Sequence, residues 1–554
     1  MKHHGSTSFF VVGEGVLEFD GSGEPAARQP LAVEELRRFR FSRMGPEGVQ
    51  TPEDARIALA EAMTAAGPQP DSADPAVPAG FTYLGQFVDH DLTMDRTESQ
   101  LGGDVNLDDL VQGRSPALDL DSVYGRGPLD PTDRVFYAAD QVKLKVGRTS
   151  KTPVPDNRTN VELEGFDLPR AGSGVTGADR RRALIPDLRN DENLAVAQTH
   201  LAFIRFHNRV VDELARTGLS GQRLFQAARA QVVRHYQWML RHDHLPRVVD
   251  PAIVDDVFAT GRRFFEAGDG HRSATQPATM PLEFSVAAYR LGHSMIRGAY
   301  QWNRVFRTPE NEQDTGALGA GTLLQLFTFS GTSGNFVNGS DLDDPNTPGP
   351  DALPTNWVAD FRRLYDFTEV GRPDLAPGLG GGNVTKLIDS LLVDPLTQLP
   401  AGTFEGRGQV VPPIHRNLAF RNLTRANMVR LASGQQMASL FDVEPLTAEQ
   451  ILVGNGGARL DGLPEEQRAA LVEATPLWFY TLREAEFGDG LLGPVGGRIV
   501  AEVFHRSMES SRSSIVREPY WRPEFGPDPT TFRMTDLLLF AFEGKADLLN
   551  PLGD

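Results

Sequence analysis

Apolar residues in this chain recur at three- and four-residue spacing, whereas convincing strict alternation is scarce. Helices, not sheets, must therefore bury most of its hydrophobic surface. The pattern predicts helices near Pro52–Ala66, Thr82–Leu92, Glu192–Thr217, Arg223–His244, Leu282–Ile296, Asn422–Leu431, Glu465–Glu473 and Val495–Ser507. Tyr83, Leu84, Phe87 and Val88 carry the spacing in the second, and Pro246 is the expected stop of the fourth. Turn-rich stretches separate them: most of residues 1–80, a Gly/Pro/Asp-punctuated excursion at 95–190, and loops at 315–346, 348–355 and 378–383. By length alone, 554 residues would make roughly three to four domains of about 150 residues. No fixed-period repeat, low-complexity tract, charge block or clear linker divides the chain, however. The expectation is a mainly α fold, a single large helical domain with long irregular loops and little β. Such a body is large enough to shield a cofactor from water.

The sequence contains no cysteine, which excludes disulfides, thiolate metal sites, iron–sulfur clusters and cysteine nucleophiles together. No uninterrupted run of ~18 apolar residues occurs, so a membrane-spanning helix is not expected. The opening MKHHGSTSFFVVGEG breaks at Gly13 and Glu14 before a signal-peptide core develops. The expected location is the cytoplasm, or outside the cell by leaderless export. A formal net charge of -19 makes nucleic acid and anionic membrane poor partners. Only six of the 55 basic residues are lysines. Genomic base composition accounts for most of that bias, but arginine's planar fork also suits an anionic ligand.

The segment YLGQFVDHDLTMD carries the first chemistry. Gln86 and His90 are four residues apart, and Gln86 and Asp89 three, so all share one helix face. Asp91 points about 100° away. An imidazole and a carboxylate thus serve one pocket and a second carboxylate another. The apolar run FTYLGQFV buries that face, where polar groups need partners. A polar helix surface beside a core histidine and a hydrolytic metal site are the alternatives at this point. DHD lacks the wider ligand spacing of known zinc motifs.

GQFVDHD resembles the distal-helix signature of the animal-type haem peroxidases, the peroxidase–cyclooxygenase superfamily, and especially its bacterial members. Five further motifs follow in the family's order. LDLDSVYG at 118–125 resembles the calcium loop, and PDLRNDENLAVAQTHLAFIRFHNRVV at 186–211 the segment carrying a distal arginine and a haem-linking glutamate. EFSVAAYRLGHSMI at 283–296 resembles the proximal-histidine helix, and LAFRNLTR at 418–425 the segment behind it. TPLWFYTLREAEFGDGLLGPVGGRIVAEVF at 475–504 resembles the end of the catalytic domain. The resemblance implies a haem-peroxidase domain over 78–510, flanked by an irregular extension at 1–77 that packs on the core and a C-terminal extension at 511–554.

It also implies roles. The family reduces hydrogen peroxide to water through Compound I and oxidises small donors, phenols or halides and thiocyanate. His90 is then the distal acid–base, a function typically worth ~10²–10⁴-fold. Arg189 is the distal arginine that stabilises charge on the leaving oxygen, and losing one such donor commonly costs about 10²–10³-fold. Gln86 orients water or a halide. His293 ligates the iron of haem b, Asn422 accepts the proton of its far ring nitrogen, and Arg290 and Arg425 meet the haem propionates. Asp89 and Glu192 correspond to the carboxylates esterified to haem methyl groups in relatives, and Glu192 suits a helix first turn. Asn193 stands where the chlorinating member has a methionine, so no sulfonium link can form. Calcium would be held by Asp91, Ser115, the Ala117 carbonyl, Asp119 and Asp121, a hard-oxygen set; the family has a hydroxyl where this chain has Asp121. His200 and His207 are expected to pack or bond in the core, and His242 and His244 to sit at a helix end that favours cations.

Two rival functions are weighed beside this. Fatty-acid dioxygenases of the same superfamily use a tyrosine three residues before the proximal histidine. Here that position is Arg290, and Tyr289 lies four away. A non-catalytic haem- and calcium-binding adhesion protein would have no need of the set at positions 90, 189 and 293.

Overall fold

The computed structural model describes residues 39–554 except 66–76, 98, 100, 153–156, 269–270, 272–277, 329–348 and 400–411, together with a pairing of Glu18–Phe19 with Pro25–Ala26. Most of the expected extension at 1–77 and much of the loop at 315–346 thus lie outside the described residues. The molecule is mainly helical. Strand pairing among the described residues is confined to short two-stranded pieces, such as the parallel pair Phe41–Ser42 and Met280–Pro281. No helix is long and apolar enough to cross a membrane among those residues.

The helices that frame the site are α1 (Glu53–Met63), α2 (Gly80–Leu92), α3 (Leu194–Ala215), α4 (Gly221–Met239), α5 (Leu418–Met428), α6 (Leu477–Ala485), α7 (Gly496–Ser510) and α8 (Met534–Ala541). α2 runs through the centre. Its Phe87 is fully buried and stacks on Phe203 of α3 with ring centroids 4.6 Å apart, while Tyr236 of α4 meets both rings edge-on. Offset and edge contacts of this kind add to the burial of the rings themselves. The C-terminal residues belong to the same core: Phe206 of α3 packs on Phe532 and on Phe540 of α8, and the Arg205 guanidinium lies 4.4 Å over the Phe542 ring.

Three expectations need correction. Pro246 does not stop a helix: α4 passes through a π turn at Leu240–His244 into a further helical turn at Leu245–Val248. A proline in a first helical turn gives up no bonded N–H, and the π turn resets the ladder ahead of it. His242 and His244 consequently lie inside helical structure, not at its end, and burial pushes their imidazoles down to about 4 and about 3. Neither is a cation at neutral pH.

The predicted helix at Leu282–Ile296 is broken. It forms a π turn at Glu283–Ala287, a 3-10 turn at Ala288–Leu291 and a short α turn at Gly292–Met295. Side chains capture the groups a regular ladder would have used. Arg290 Nε donates to the Ser285 carbonyl at 2.8 Å, and Trp478 Nε1 of α6 donates to the Arg290 carbonyl at 3.3 Å. The Glu283 carboxylate accepts the N–H groups of Met44 and Gly45 at 2.9 and 3.1 Å, tying this segment to the start of the described chain. Finally, α3 begins at Leu194, with Asn193 as its N-cap accepting the Val196 N–H at 3.0 Å, so Glu192 stands before the helix and not in its first turn.

Candidate active site

Between α2 and the broken segment lies a cavity of about 680 Å³. Gln86 and Asp89 of α2 and Asn193 form part of one wall, while Arg290, Gly292 and His293 stand among the residues of the other. Phe81, Leu291, Ile296, Leu323 and Phe327 make the remainder largely apolar. A Cβ at Gly292 would meet nothing within 4 Å, so the wall beside His293 is open to the cavity.

Behind Gln86 and Asp89 the polar groups form one connected network. The Gln86 amide donates to Glu192 Oε1, and Asn193 Nδ2 donates to Gln86 Oε1 at 3.1 Å. His90 is fully buried and is not among the cavity-lining residues; its Nε2 lies 3.5 Å from Glu192 Oε1. Its Nδ1 lies 2.8 Å from Asn190 Oδ1, and Asn190 Nδ2 lies 2.9 Å from His200 Nδ1. An amide oxygen only accepts and an amide nitrogen only donates. The His90 proton therefore sits on Nδ1, leaving Nε2 as the basic nitrogen, and His200 presents a lone pair at Nδ1. Burial pushes the His200 imidazole down to about 3, which keeps it neutral in that role.

Arg189 lies in a 3-10 turn at Leu188–Asp191, and Asp187 caps that turn. Its Nη2 donates to the His90 carbonyl at 2.8 Å, and its Nε and Nη2 grip the Asp187 carboxylate at 3.1 and 2.8 Å. Arg114 holds the same carboxylate from the other side. Burial alone would raise the Asp187 carboxyl, but the two guanidinium groups overcome it and hold it well below the usual carboxylate range. Asp89, by contrast, is raised by burial, with Arg290 and Arg189 opposing the shift, and accepts the Thr93 hydroxyl at 3.0 Å. The turn itself is anchored by Arg170, which bonds both Asp167 and Asp191.

On the opposite wall, Asn422 of α5 places its Nδ2 3.0 Å from His293 Nδ1. The expectation had Asn422 accepting from this nitrogen, whereas the structure orients its amide as donor; a half-turn of the amide exchanges the two roles. Nε2 is thus the nitrogen by which the ring would take a metal. Arg290 lines the cavity wall, and Arg425 is paired with Asp95.

Asp91 points away from this network, as its helical position requires. Its carboxylate accepts the N–H groups of Leu120 and Ser122, each at 3.2 Å, and the Ser122 hydroxyl at 3.0 Å. Asp119 accepts the Ser511 hydroxyl at 2.5 Å, Asp121 pairs with Arg229 at 3.1 Å, and Ser115 Oγ accepts the Ala117 N–H at 3.3 Å. Burial and the Asp121 charge push Asp91 up to about 7, and the same causes raise Asp119. The carboxylates therefore repel one another across the loop. Among the described residues no group of three histidines or carboxylates is gathered closely enough to hold a metal ion.

A family model described as animal haem peroxidase matches residues 94–319, a span that contains Arg189 and His293 and begins just after His90. The chain is 22% identical over 288 residues to the chorion peroxidase of Aedes aegypti, covering 43% of this chain and 36% of that one. It is 35% identical over 119 residues to a peroxidase-like protein of Margaritifera margaritifera, covering 21% of this chain and 14% of the relative. The alignments thus span well under half the length of these curated relatives. A fatty acid α-dioxygenase of Arabidopsis thaliana superposes with a TM-score of 0.53 over 98% of this chain and 81% of that chain, at 12% identity, a likeness of fold alone. Residues 94–319 thus resemble an animal haem peroxidase domain, and the likeness to these peroxidases supports the peroxidase–cyclooxygenase superfamily.

The match to the animal haem peroxidase model implies haem, and the largely apolar cavity suits a flat macrocycle bearing two carboxylates. One wall offers an imidazole, and two arginines stand at or near its rim. Neither Asn190 nor Asp187 stands out in the sequence, and His200 is expected there to pack or bond in the core with no partner named. Asp187 carried one legible signal, an acidic residue two positions before Arg189, the spacing of a capping aspartate.

Nitrogen NMR of labelled histidine tests the protonation of His90. Wild type should show His90 protonated at Nδ1 and bare at Nε2. Asn190→Ala should shift the ring towards the Nε2–H form, while Asn190→Asp, which still accepts, should not. An unchanged His90 tautomer in Asn190→Ala would show that Asn190 does not hold it.

Proposed function

We propose that this protein is a haem peroxidase that reduces hydrogen peroxide to water and oxidises small organic donors such as phenols, or halides and thiocyanate. One observation carries the reading: His293, backed by Asn422, stands in the cavity wall across from the Gln86–Asp89 face, behind which His90 is held with a basic Nε2. When bound, haem supplies a ferric iron that accepts peroxide and stores its oxidising equivalents. The remaining work falls to the chain. His293 Nε2 would hold the haem iron, with Asn422 setting the ring's orientation and basicity. His90 Nε2 takes a proton from one peroxide oxygen and returns it to the departing one, so that water leaves. Arg189 serves through position: its bond to the His90 carbonyl fixes the last turn of α2, and its charge bears on the same region. Gln86, held between Glu192 and Asn193, orients water at the wall.

A second reading, fatty-acid dioxygenation, rests on Tyr289. Its hydroxyl lies in the cavity wall, 3.1 Å from His244 Nε2, although one residue out of the dioxygenase spacing. A haem titration followed by stopped-flow mixing with peroxide tests the first reading. His293→Ala should largely lose the Soret band. His90→Ala and Arg189→Ala should keep it yet react orders of magnitude more slowly, the double variant being far from additive. Peroxide reactivity near wild type in His90→Ala would sink the assignment, and linoleate-driven oxygen uptake without phenol oxidation would favour the second reading.

Asp89 is the carboxylate best placed to become esterified to a haem methyl group, because it lines the cavity whereas Glu192 is engaged by Gln86. Such a link would need a two-electron oxidation, which peroxide would supply, with the Asp89 carboxylate oxygen taking the place of a methyl hydrogen that leaves as a proton. After brief peroxide treatment haem should resist acid–acetone extraction in wild type, lose one link in Asp89→Val, and lose both in the Asp89→Val/Glu192→Gln variant. Free haem throughout, by denaturing mass spectrometry, would leave both as hydrogen-bonding residues only.

Calcium is the hard cation that Asp91, Ser115, the Ala117 carbonyl, Asp119 and Asp121 would hold, and it would relieve the repulsion among those acids. Chelation should then lower the melting temperature by the binding linkage and slow peroxide reactivity through His90. Active, extensively dialysed protein without calcium by elemental analysis would exclude the site.

A further inference from the structure

Arg425 follows Asn422 by three residues on α5, so the helix that backs His293 also delivers a guanidinium nearby. That guanidinium already has a partner, since Arg425 Nη2 donates to Asp95 Oδ2 at 2.6 Å. Asp95 lies just beyond α2, and its other oxygen accepts the Thr97 N–H at 2.9 Å. The pair therefore ties the α2 side of the site to the His293 side across 330 residues of sequence. Asp95, Arg425 and Arg290 together line a second hollow of about 850 Å³, which shares Arg290 with the His293 cavity. Phe41, Val286 and Met428 are among its apolar walls. An arginine with no counter-ion would be costly in such surroundings.

We propose that Asp95 is a resident stand-in for a haem carboxylate. It neutralises Arg425 while the cleft is empty, and a propionate exchanges for it on Arg425 as haem binds. The inference rests on the haem reading above and adds a residue that competes with the cofactor. Three features support the exchange. Arg425 trades one carboxylate for another and keeps its charge pairing. Asp95 retains the Thr97 N–H when Arg425 leaves. Arg290 lines the same hollow, so the released carboxylate stays beside a second guanidinium. A competitor of this kind lowers apparent affinity by the fraction of molecules in which Arg425 is engaged.

The test uses the full chain and reads two quantities: haem affinity from a Soret titration, and melting temperature with and without haem. Asp95→Asn keeps an acceptor for Thr97 but removes the charge. It should lower the melting temperature of the haem-free protein, leave that of the loaded protein near wild type, and tighten haem binding about tenfold. Arg425→Gln should weaken haem about tenfold, and adding Asp95→Asn to it should bring no further tightening. Arg425→Lys covers the case in which the Gln variant does not fold. Two results would overturn the exchange: Asp95→Asn weakening haem as Arg425→Gln does, or destabilising the loaded and haem-free forms equally. Either would make Asp95 a fixed support of Arg425. No Soret band in wild type would instead overturn the haem reading, and the exchange with it.

Discussion

The arrangement around His90 depends on one buried carboxylate. Asp187 accepts from Arg189 and Arg114 at once, and Arg189 in turn donates to the His90 carbonyl. Ionised groups taken out of water cost several kcal/mol each unless geometry and hydrogen bonds compensate them. Here both guanidinium groups pair with the one Asp187 carboxylate, so the cluster tolerates burial only as a unit. That unit joins the loop at Arg114, the turn at Leu188–Asp191 and the last turn of α2. It holds the backbone of His90 in place without touching the ring, which leaves the ring's hydrogen bonding to other residues.

Those residues are Asn190 and His200, and their order matters. His200 is fully buried and neutral, so its Nδ1 can accept from the Asn190 amide, whose oxygen in this orientation takes the His90 proton. The Asn190 amide thereby links the proton placement of His90 to that of a neutral histidine deep in α3. The same burial that supplies the core contacts of α3 enforces this neutrality, so packing and proton placement are one property of that helix.

The sequence made the helical frame legible wherever apolar spacing was uninterrupted by competing side chains. α2 follows its Tyr83–Leu84–Phe87–Val88 pattern because the stripe packs on α3 and α4. The segment around His293 carries an equally helical pattern and still breaks, because Arg290 and Trp478 take carbonyls that the ladder would have used. Local propensity contains no record of such captures. The family motifs named His90, Arg189, His293 and Asn422, but not Asn190 and Asp187, with which the fold bonds the first two, or Arg114 behind Asp187. Asn190 meets His90 across 100 residues of sequence, Arg114 meets Asp187 across 73 and Asp95 meets Arg425 across 330. Such pairings are set by the tertiary fold, and no spacing rule reaches them. The link between the acidic loop and the C-terminal residues, through Asp119 and Ser511, was hidden for the same reason.

Charge gives the site a character opposite to that of the chain. The molecule carries a net charge of -19, yet arginines 114, 189, 290 and 425 gather around the cavity and its second hollow. At physiological ionic strength the long-range field decays over about 8 Å, so selection among donors falls to these local groups. Arg189 is committed to Asp187 and to the His90 carbonyl, Arg425 to Asp95, and the wall nearest His90 presents Asp89 and Asn193. A halide or thiocyanate entering there meets repulsion from the Asp89 carboxylate, set against the Arg290 guanidinium of the opposite wall. A neutral phenol meets no such penalty and finds Phe81, Ile296 and Phe327 for its ring. On the proposed reading, these rings would seat an aromatic donor without disturbing the ion pairs that hold His90 in position.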